Sequence, residues 1–205
     1  MERPVARLAA VGAALLAACS SMPPAEPDAR LLDLRQGGYV IVFRHGATNT
    51  NMADTDPLHP ENVSQQRLLS AGGREQARQV GEAFRKLGIP FGKVYTSQFD
   101  RAVETGRLIG GKDVVATPDV TEGGLVVTPI ENDRRASALK VLAASKPDRG
   151  TNTLVVSHKP NIIDAFGKDW FNVKEGEASV FRPDGTGKTA LVARYQSADL
   201  IKAAR

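Results

Sequence analysis

Cysteine is nearly absent: Cys19 is the only one in 205 residues. That excludes an intramolecular disulfide and removes thiol catalysis from any folded domain downstream of it. Aromatic side chains are sparse, at 5 %, and lysine and arginine form no long run. The chain therefore lacks the stacking platforms and basic stripes of a nucleic-acid surface. The excess of 27 basic over 23 acidic residues is mild; it reads as solvated surface charge with some capacity to draw in small anions. One uninterrupted apolar stretch stands out, Leu8 to Ala18. As a helix it would extend roughly 16 Å, about half of a hydrocarbon core roughly 30 Å thick, too little for a permanent membrane span. Histidine occurs only as His45, His59 and His158, which leaves few positions for a reactive imidazole.

Arg3 and Arg7 precede the apolar stretch and small residues end it, the layout of a secretory signal. Leu16-Ala17-Ala18-Cys19 resembles the lipobox of bacterial lipoproteins. That resemblance implies diacylglyceryl transfer to the Cys19 thiol, cleavage just before it and acylation of the new amino terminus; several acyl chains anchor far more firmly than one. Residues 1–18 are therefore expected to be a signal peptide. Residues 19–29, with Pro23, Pro24 and Pro27, are expected to be the lipidated cysteine on a semi-rigid tether of roughly 30 Å. Cleavage would remove Glu2, Arg3 and Arg7 and leave 25 basic against 22 acidic residues, a net of +3. Ser20, where an aspartate would retain the protein, points to onward sorting to an outer membrane if the cell has one. The expected location is the cell envelope, facing the periplasm or exterior.

From Arg30 to Arg205 the length suits a single domain with a substantial core. Apolar strand-like runs occur at 40–43, 93–97, 113–117, 153–157, 178–181 and 190–195. Helical patterns fall between them at 72–87, 101–109 and 129–144; Val80, Ala83, Phe84 and Leu87 mark the buried face of the first, and Gly88 and Pro90 stop it. Strand and helix in alternation predict an α/β fold, a three-layer sandwich with a mostly parallel sheet between helices. The last two runs, joined by Pro183-Asp184-Gly185-Thr186-Gly187, predict a hairpin at one sheet edge.

Two of the three histidines follow apolar strands. Tyr39 to Phe43 leads into Arg44-His45-Gly46, and Leu154 to Val156 leads into Ser157-His158. Open α/β sheets bind ligands at the carboxyl ends of their strands. There a neutral imidazole can attack phosphorus and a guanidinium can hold phosphoryl oxygens in its planar fork. A third strand, ending near Ser97, is followed by a helix with Arg101 in or near its first turn, where anions are favoured. Set alone, Arg101 could as well pair with Asp100 or Glu104 on a wet helix face. His59 lies between Leu58 and Pro60 and reads as a loop residue.

Taken together, Arg44-His45-Gly46-Ala47-Thr48 with Asn51, Leu69-Ser70-Ala71-Gly72-Gly73-Arg74-Glu75-Gln76-Ala77, Thr96-Ser97 through Arg101-Ala102 to Thr105, and Val155-Val156-Ser157-His158 resemble the histidine phosphatase superfamily, which includes the cofactor-dependent phosphoglycerate mutases. The resemblance runs from about Gly38 to His158. It implies that His45 is the nucleophile that becomes phosphohistidine, and that Arg44, Arg101 and His158 surround the phosphoryl oxygens with Asn51 as an accessory donor. A protonated His158 would help to keep His45 neutral. Ala47 stands where many members carry glutamate, Gln98 where proline is frequent, and Ser157 where glycine is common.

The resemblance requires neither metal nor cofactor. Asp54 and Asp56 read as solvated carboxylates of the polar 49–60 loop. The family places a proton donor between the Arg101 helix and the His158 strand, where Glu122 and Glu131 are the candidates. Thr128-Pro129-Ile130-Glu131 has the form of a capping box with proline at the first helical position, which gives Glu131 a structural task. Glu122, before Gly123-Gly124, is therefore taken as the acid. The expected activity is hydrolysis of a small phosphorylated substrate by a lipid-anchored enzyme. A bisphosphate-primed mutase and a non-catalytic phosphate-binding lipoprotein are the alternatives, and protein partners are not specified by the sequence.

Overall fold

Along the central strands the apolar side chains point alternately to opposite faces, so one strand feeds two cores. The computed structural model describes residues 28–111, 113–123 and 126–205; the expected signal peptide, Cys19 and most of the tether lie outside them. The elements are, in order, α1 (Ala29–Asp33), β1 (Val40–Arg44), α2 (Ala71–Lys86), β2 (Phe91–Thr96), α3 (Asp100–Gly110), β3 (Val115–Ala116), α4 (Pro129–Ala144), β4 (Asn152–Ser157), α5 (Lys159–Phe166), β5 (Glu177–Pro183), β6 (Thr189–Gln196) and α6 (Ser197–Ala203). Ile41 and Phe43 of β1 and Leu154 and Val156 of β4 pack with Ala77, Val80 and Phe84 of α2, Ala102 and Ile109 of α3, Leu31 and Leu200. Val40, Val42 and Val155 face the other way, onto Leu139 and Ala143 of α4, Ile162 and Ala165 of α5, and Trp170. This is the expected three-layer α/β sandwich.

The sheet order is β3-β2-β4-β1-β5-β6. β1, β2, β3 and β4 are mutually parallel, while β5 and β6 form the expected antiparallel edge hairpin. At its turn the Asp184 carboxylate accepts from the N–H groups of Thr186 and Lys188 at 2.7 and 3.1 Å. The three long helices lie within a residue or two of their expected bounds. α1, α5 and α6 escaped the sequence reading because each is too short for a 3.6-residue period to show over several turns.

α2 begins where the chain returns from the His45 turn. The Ser70 hydroxyl caps it by accepting from Gly73 N at 3.0 Å, and Ser70 N–H donates to Ala47 O at 3.0 Å. A Cβ on Gly73 would stand 2.0 Å from Ala47 O, whereas a Cβ on Gly72 would meet only Ser70 Oγ at 3.9 Å. Alanine normally strengthens a helix by about 1 kcal/mol relative to glycine. Gly72→Ala should therefore raise stability by up to that amount in chemical denaturation, and Gly73→Ala should lower it by about 1–3 kcal/mol, the usual cost of overpacking.

Candidate active site

Strand pairing builds the site. β1 and β4 are parallel neighbours with Arg44 opposite Ser157, so the next residue on each strand is a histidine at the same level of the sheet edge. His45 N–H donates to Ser157 O at 3.1 Å, and the two imidazoles lie 5.1 Å apart, centre to centre. Both are buried. His45 Nδ1 is 2.8 Å from Gly46 O; a carbonyl can only accept, so Nδ1 carries the proton and Nε2 keeps its lone pair.

Neighbouring elements lock this turn. Gly46 N–H donates to Thr105 Oγ1 at 3.0 Å, and that hydroxyl donates to Arg101 O at 2.7 Å, which ties the turn to α3. On the far side Gly176 N–H is shared between Arg44 O and His45 O, at 3.1 and 3.0 Å. Gly176 has φ +77°, and a Cβ there would collide with Ser197 Oγ. Glycine is thus required by both conformation and space.

Arg101 is not on a wet helix face. Its side chain is fully buried, with Nη1 at 2.9 Å from Asp54 Oδ1, Nη2 bonded to Glu122 Oε1, and the guanidinium carbon 4.4 Å from the centre of the Phe99 ring. The same Phe99 ring meets His158 edge-on at 5.6 Å. Glu104, the other expected partner, pairs instead with Arg74 at 2.7 Å. Arg44 donates from Nη1 to Val173 O at 2.8 Å, and its Nη2 is 3.6 Å from Glu175 Oε1, which also accepts from Thr48 Oγ1 at 2.9 Å.

Glu122 reaches the centre of this group. Its Oε1 lies 3.3 Å from His158 Nδ1, near enough for an ion pair but not aligned as a hydrogen bond. Among the described residues neither ring nitrogen of His158 has a hydrogen-bond partner. Glu131 lies elsewhere: its N–H donates to Thr128 Oγ1 at 3.2 Å, and its carboxylate holds Arg134 and Arg135, which pull its pKa down to about 2. Asn51 is exposed in a turn, with its N–H on Asn49 Oδ1 at 3.1 Å. The fold thus gathers Arg44, His45, Arg101, Glu122 and His158 and leaves Glu131 outside. His59 is an exposed loop residue beside Glu61. Ser157, departing from the family's glycine, donates to Val120 O at 2.9 Å and so fastens the β4 end to the segment that carries Glu122.

Asp54 corrects the reading of a solvated loop carboxylate. Besides Arg101 it accepts from Arg67 N–H at 2.9 Å, while Arg67 O receives Arg101 Nη1 at 3.4 Å. Asp56 is half-buried and accepts from Asn62 Nδ2 at 3.3 Å. Arg67 and Phe99 also belong to the site and were not singled out from the sequence. Asp54 and Arg67 lie in a loop without periodicity, and only tertiary contact gives them meaning. Among the described residues no three His, Cys, Asp or Glu side chains cluster as ligands for a metal ion.

Residues 40–126 match the family model described as histidine phosphatase superfamily (branch 1). Over those residues the chain resembles that superfamily. Solved structures agree in fold: the protein histidine phosphatase SixA complexed with tungstate is similar at 19% identity and TM-score 0.56, covering 79% of this chain and 99% of SixA. Phosphoserine phosphatase from Entamoeba histolytica in complex with 3-phosphoglyceric acid is similar at 18% identity and TM-score 0.54, covering 79% of this chain and 98% of that one. The α-ribazole phosphatase from Shigella flexneri stands at 17% identity and TM-score 0.53, covering 78% and 96%. No curated protein matches the sequence.

In this histidine phosphatase fold the pocket is neutral in its imidazoles and cationic in its guanidinia. Burial is the largest cause that holds the His45 pKa well below its ordinary 6.5, followed by the adjoining His158; for His158 burial again leads, followed by Arg101, Arg67 and Arg44. The expectation of a protonated His158 is thereby corrected, because burial and then the three arginines around it disfavour a further positive charge. A histidine whose folded pKa is depressed takes up its proton only on unfolding. Stability should therefore hold above pH 6.5 and fall as pH drops below it, by up to about 1.4 kcal/mol per pH unit for each of the two. Urea denaturation between pH 7 and pH 5 should show this slope, and His158→Gln should remove about half of it.

Proposed function

We propose that the protein is a phosphomonoester hydrolase that works through a phosphohistidine at His45. The observation that carries this reading is the free Nε2 lone pair of a buried, neutral His45, held beside His158 and within a ring of arginines. Family and fold support a phosphatase, and the chemistry of the gathered side chains supplies the steps. A phosphoryl group entering the pocket takes Arg44, Arg101 and His158 as donors, with Arg67 adding charge. Nε2 of His45 attacks phosphorus in line, and the bond to the ester oxygen breaks. Positive charge fixed in advance stabilises the transferring group.

The ester oxygen needs a proton as it leaves. Glu122 is paired with Arg101. A bound phosphoryl group competes for that guanidinium and releases the carboxyl group toward the ester oxygen. Glu122 then gives its proton to the leaving oxygen, accepts one from the attacking water, and free phosphate departs with Nε2 restored.

His45→Ala should abolish turnover, and Arg101→Ala should cost roughly a hundredfold or more. Glu122→Gln should slow alkyl phosphates by roughly a hundredfold or more while sparing aryl phosphates with good leaving groups. Rapid quenching should trap an acid-labile, base-stable phosphoprotein. Phosphate mapped to a serine would overturn the scheme, and dependence on a bisphosphate primer would mark a mutase instead.

We further propose that Cys19 is lipidated and that the domain, beginning near residue 30, hangs from a short tether in the cell envelope, at an outer membrane where one exists. The support is the lipobox-like Leu16-Ala17-Ala18-Cys19 before a proline-rich segment. Labelled palmitate should enter the wild type and not Cys19→Ala, which should also leave the membrane fraction. Equal labelling of the two would defeat the anchor without touching the enzymatic reading.

A further inference from the structure

Phe171 is a large aromatic side chain left 70% exposed, and it is not free to wander. Lys159 Nζ sits 4.7 Å from its ring centre, a cation on one face that leaves the other open. Both ends of this contact are fixed to the phosphoryl pocket. Lys159 directly follows His158 at the start of α5. Phe171 is two residues before Val173, which is buried and whose carbonyl receives Arg44 Nη1 at 2.8 Å. Segment 171–173 and the first turn of α5 therefore border the pocket on the side shared by Arg44 and His158. A leaving group on a phosphoryl held at His45 would meet Phe171 by passing out on that side.

We propose that Phe171, steadied by Lys159, is the leaving-group subsite and selects phosphomonoesters whose leaving group carries an aromatic or heteroaromatic ring. The proposal rests on the phosphatase reading and adds a substrate class to it. An exposed ring with one free face stacks on a flat partner better than on a flexible alkyl chain, because offset stacking adds to simple area burial. Lys159 holds the ring through that cation–π contact and acts as a positioning residue.

Binding of non-hydrolysable probes to the full chain separates this proposal from the reading beneath it. In calorimetric titrations at one pH and salt concentration, benzylphosphonate should bind roughly three- to tenfold more tightly than butylphosphonate. Phe171→Ala should erase that preference by weakening benzylphosphonate alone, and Phe171→Trp should keep it. Lys159→Gln should reduce the preference while leaving inorganic phosphate affinity within about twofold. Equal affinity for the two phosphonates in the wild type, or a preference that survives Phe171→Ala, would overturn the subsite while leaving the phosphoryl pocket standing. Failure of inorganic phosphate and of both phosphonates to bind would overturn the pocket reading and the subsite with it.

Discussion

The parallel register of β1 on β4 is the constraint from which the site follows. With Arg44 set opposite Ser157, two histidines far apart in the chain become neighbours at one edge, and a slip of one residue would turn the slipped strand's side chains to the opposite faces. That register is held by the two cores. Ile41 and Phe43 are committed to one layer and Val40 and Val42 to the other, so no alternative pairing buries the same surface. The expense of a doubly covered sheet thus fixes the geometry of the imidazoles to within the tolerance of packed side chains.

Charge is the second constraint, and it is less comfortable. A fully buried guanidinium is costly unless its donors are met, and Arg101 meets the cost with Asp54, Glu122 and the Phe99 face. These same partners occupy donors that a phosphoryl group would use. Asp54 and Glu122 thus neutralise a buried cation that a phosphoryl group would also seek. Binding of one would exchange anions on the Nη donors of Arg101. Such an exchange disfavours weak anions and favours a compact dianion that can satisfy Arg44, Arg101 and His158 together.

How much of this the sequence disclosed follows from range. His45 and His158 were legible because each follows an apolar run, and short-range pattern sets them at a sheet edge; Arg101 alone read equally as a wet-face ion pair, and the family resemblance drew it into the site. Glu122 was separable from Glu131 because Thr128 and Pro129 give Glu131 a local task, and the structure finds it in that helical turn, paired with Arg134 and Arg135. Asp54 and Arg67 were not legible. Their meaning comes from Arg101, more than thirty residues away, and a loop rich in Asn, Asp and Pro has no period from which to infer a fold. The protonation of His158 failed for a related reason: the three arginines around it converge only in the folded chain.

Some of the buried atoms left without partners lie at the site. Arg44 Nε, Arg101 Nε and both nitrogens of His158 are enclosed and unbonded among the described residues; in a neutral imidazole one of those nitrogens donates and the other accepts. Thr96 Oγ1, Glu104 Oε2, Asn161 Oδ1 and Thr189 Oγ1 share that condition, while buried Asn152 serves Tyr39 N, Leu34 O and Pro90 O at once. A ligand with several acceptor oxygens would meet the two guanidinium N–H groups and the imidazole donor, and by binding the folded chain alone it would raise its stability.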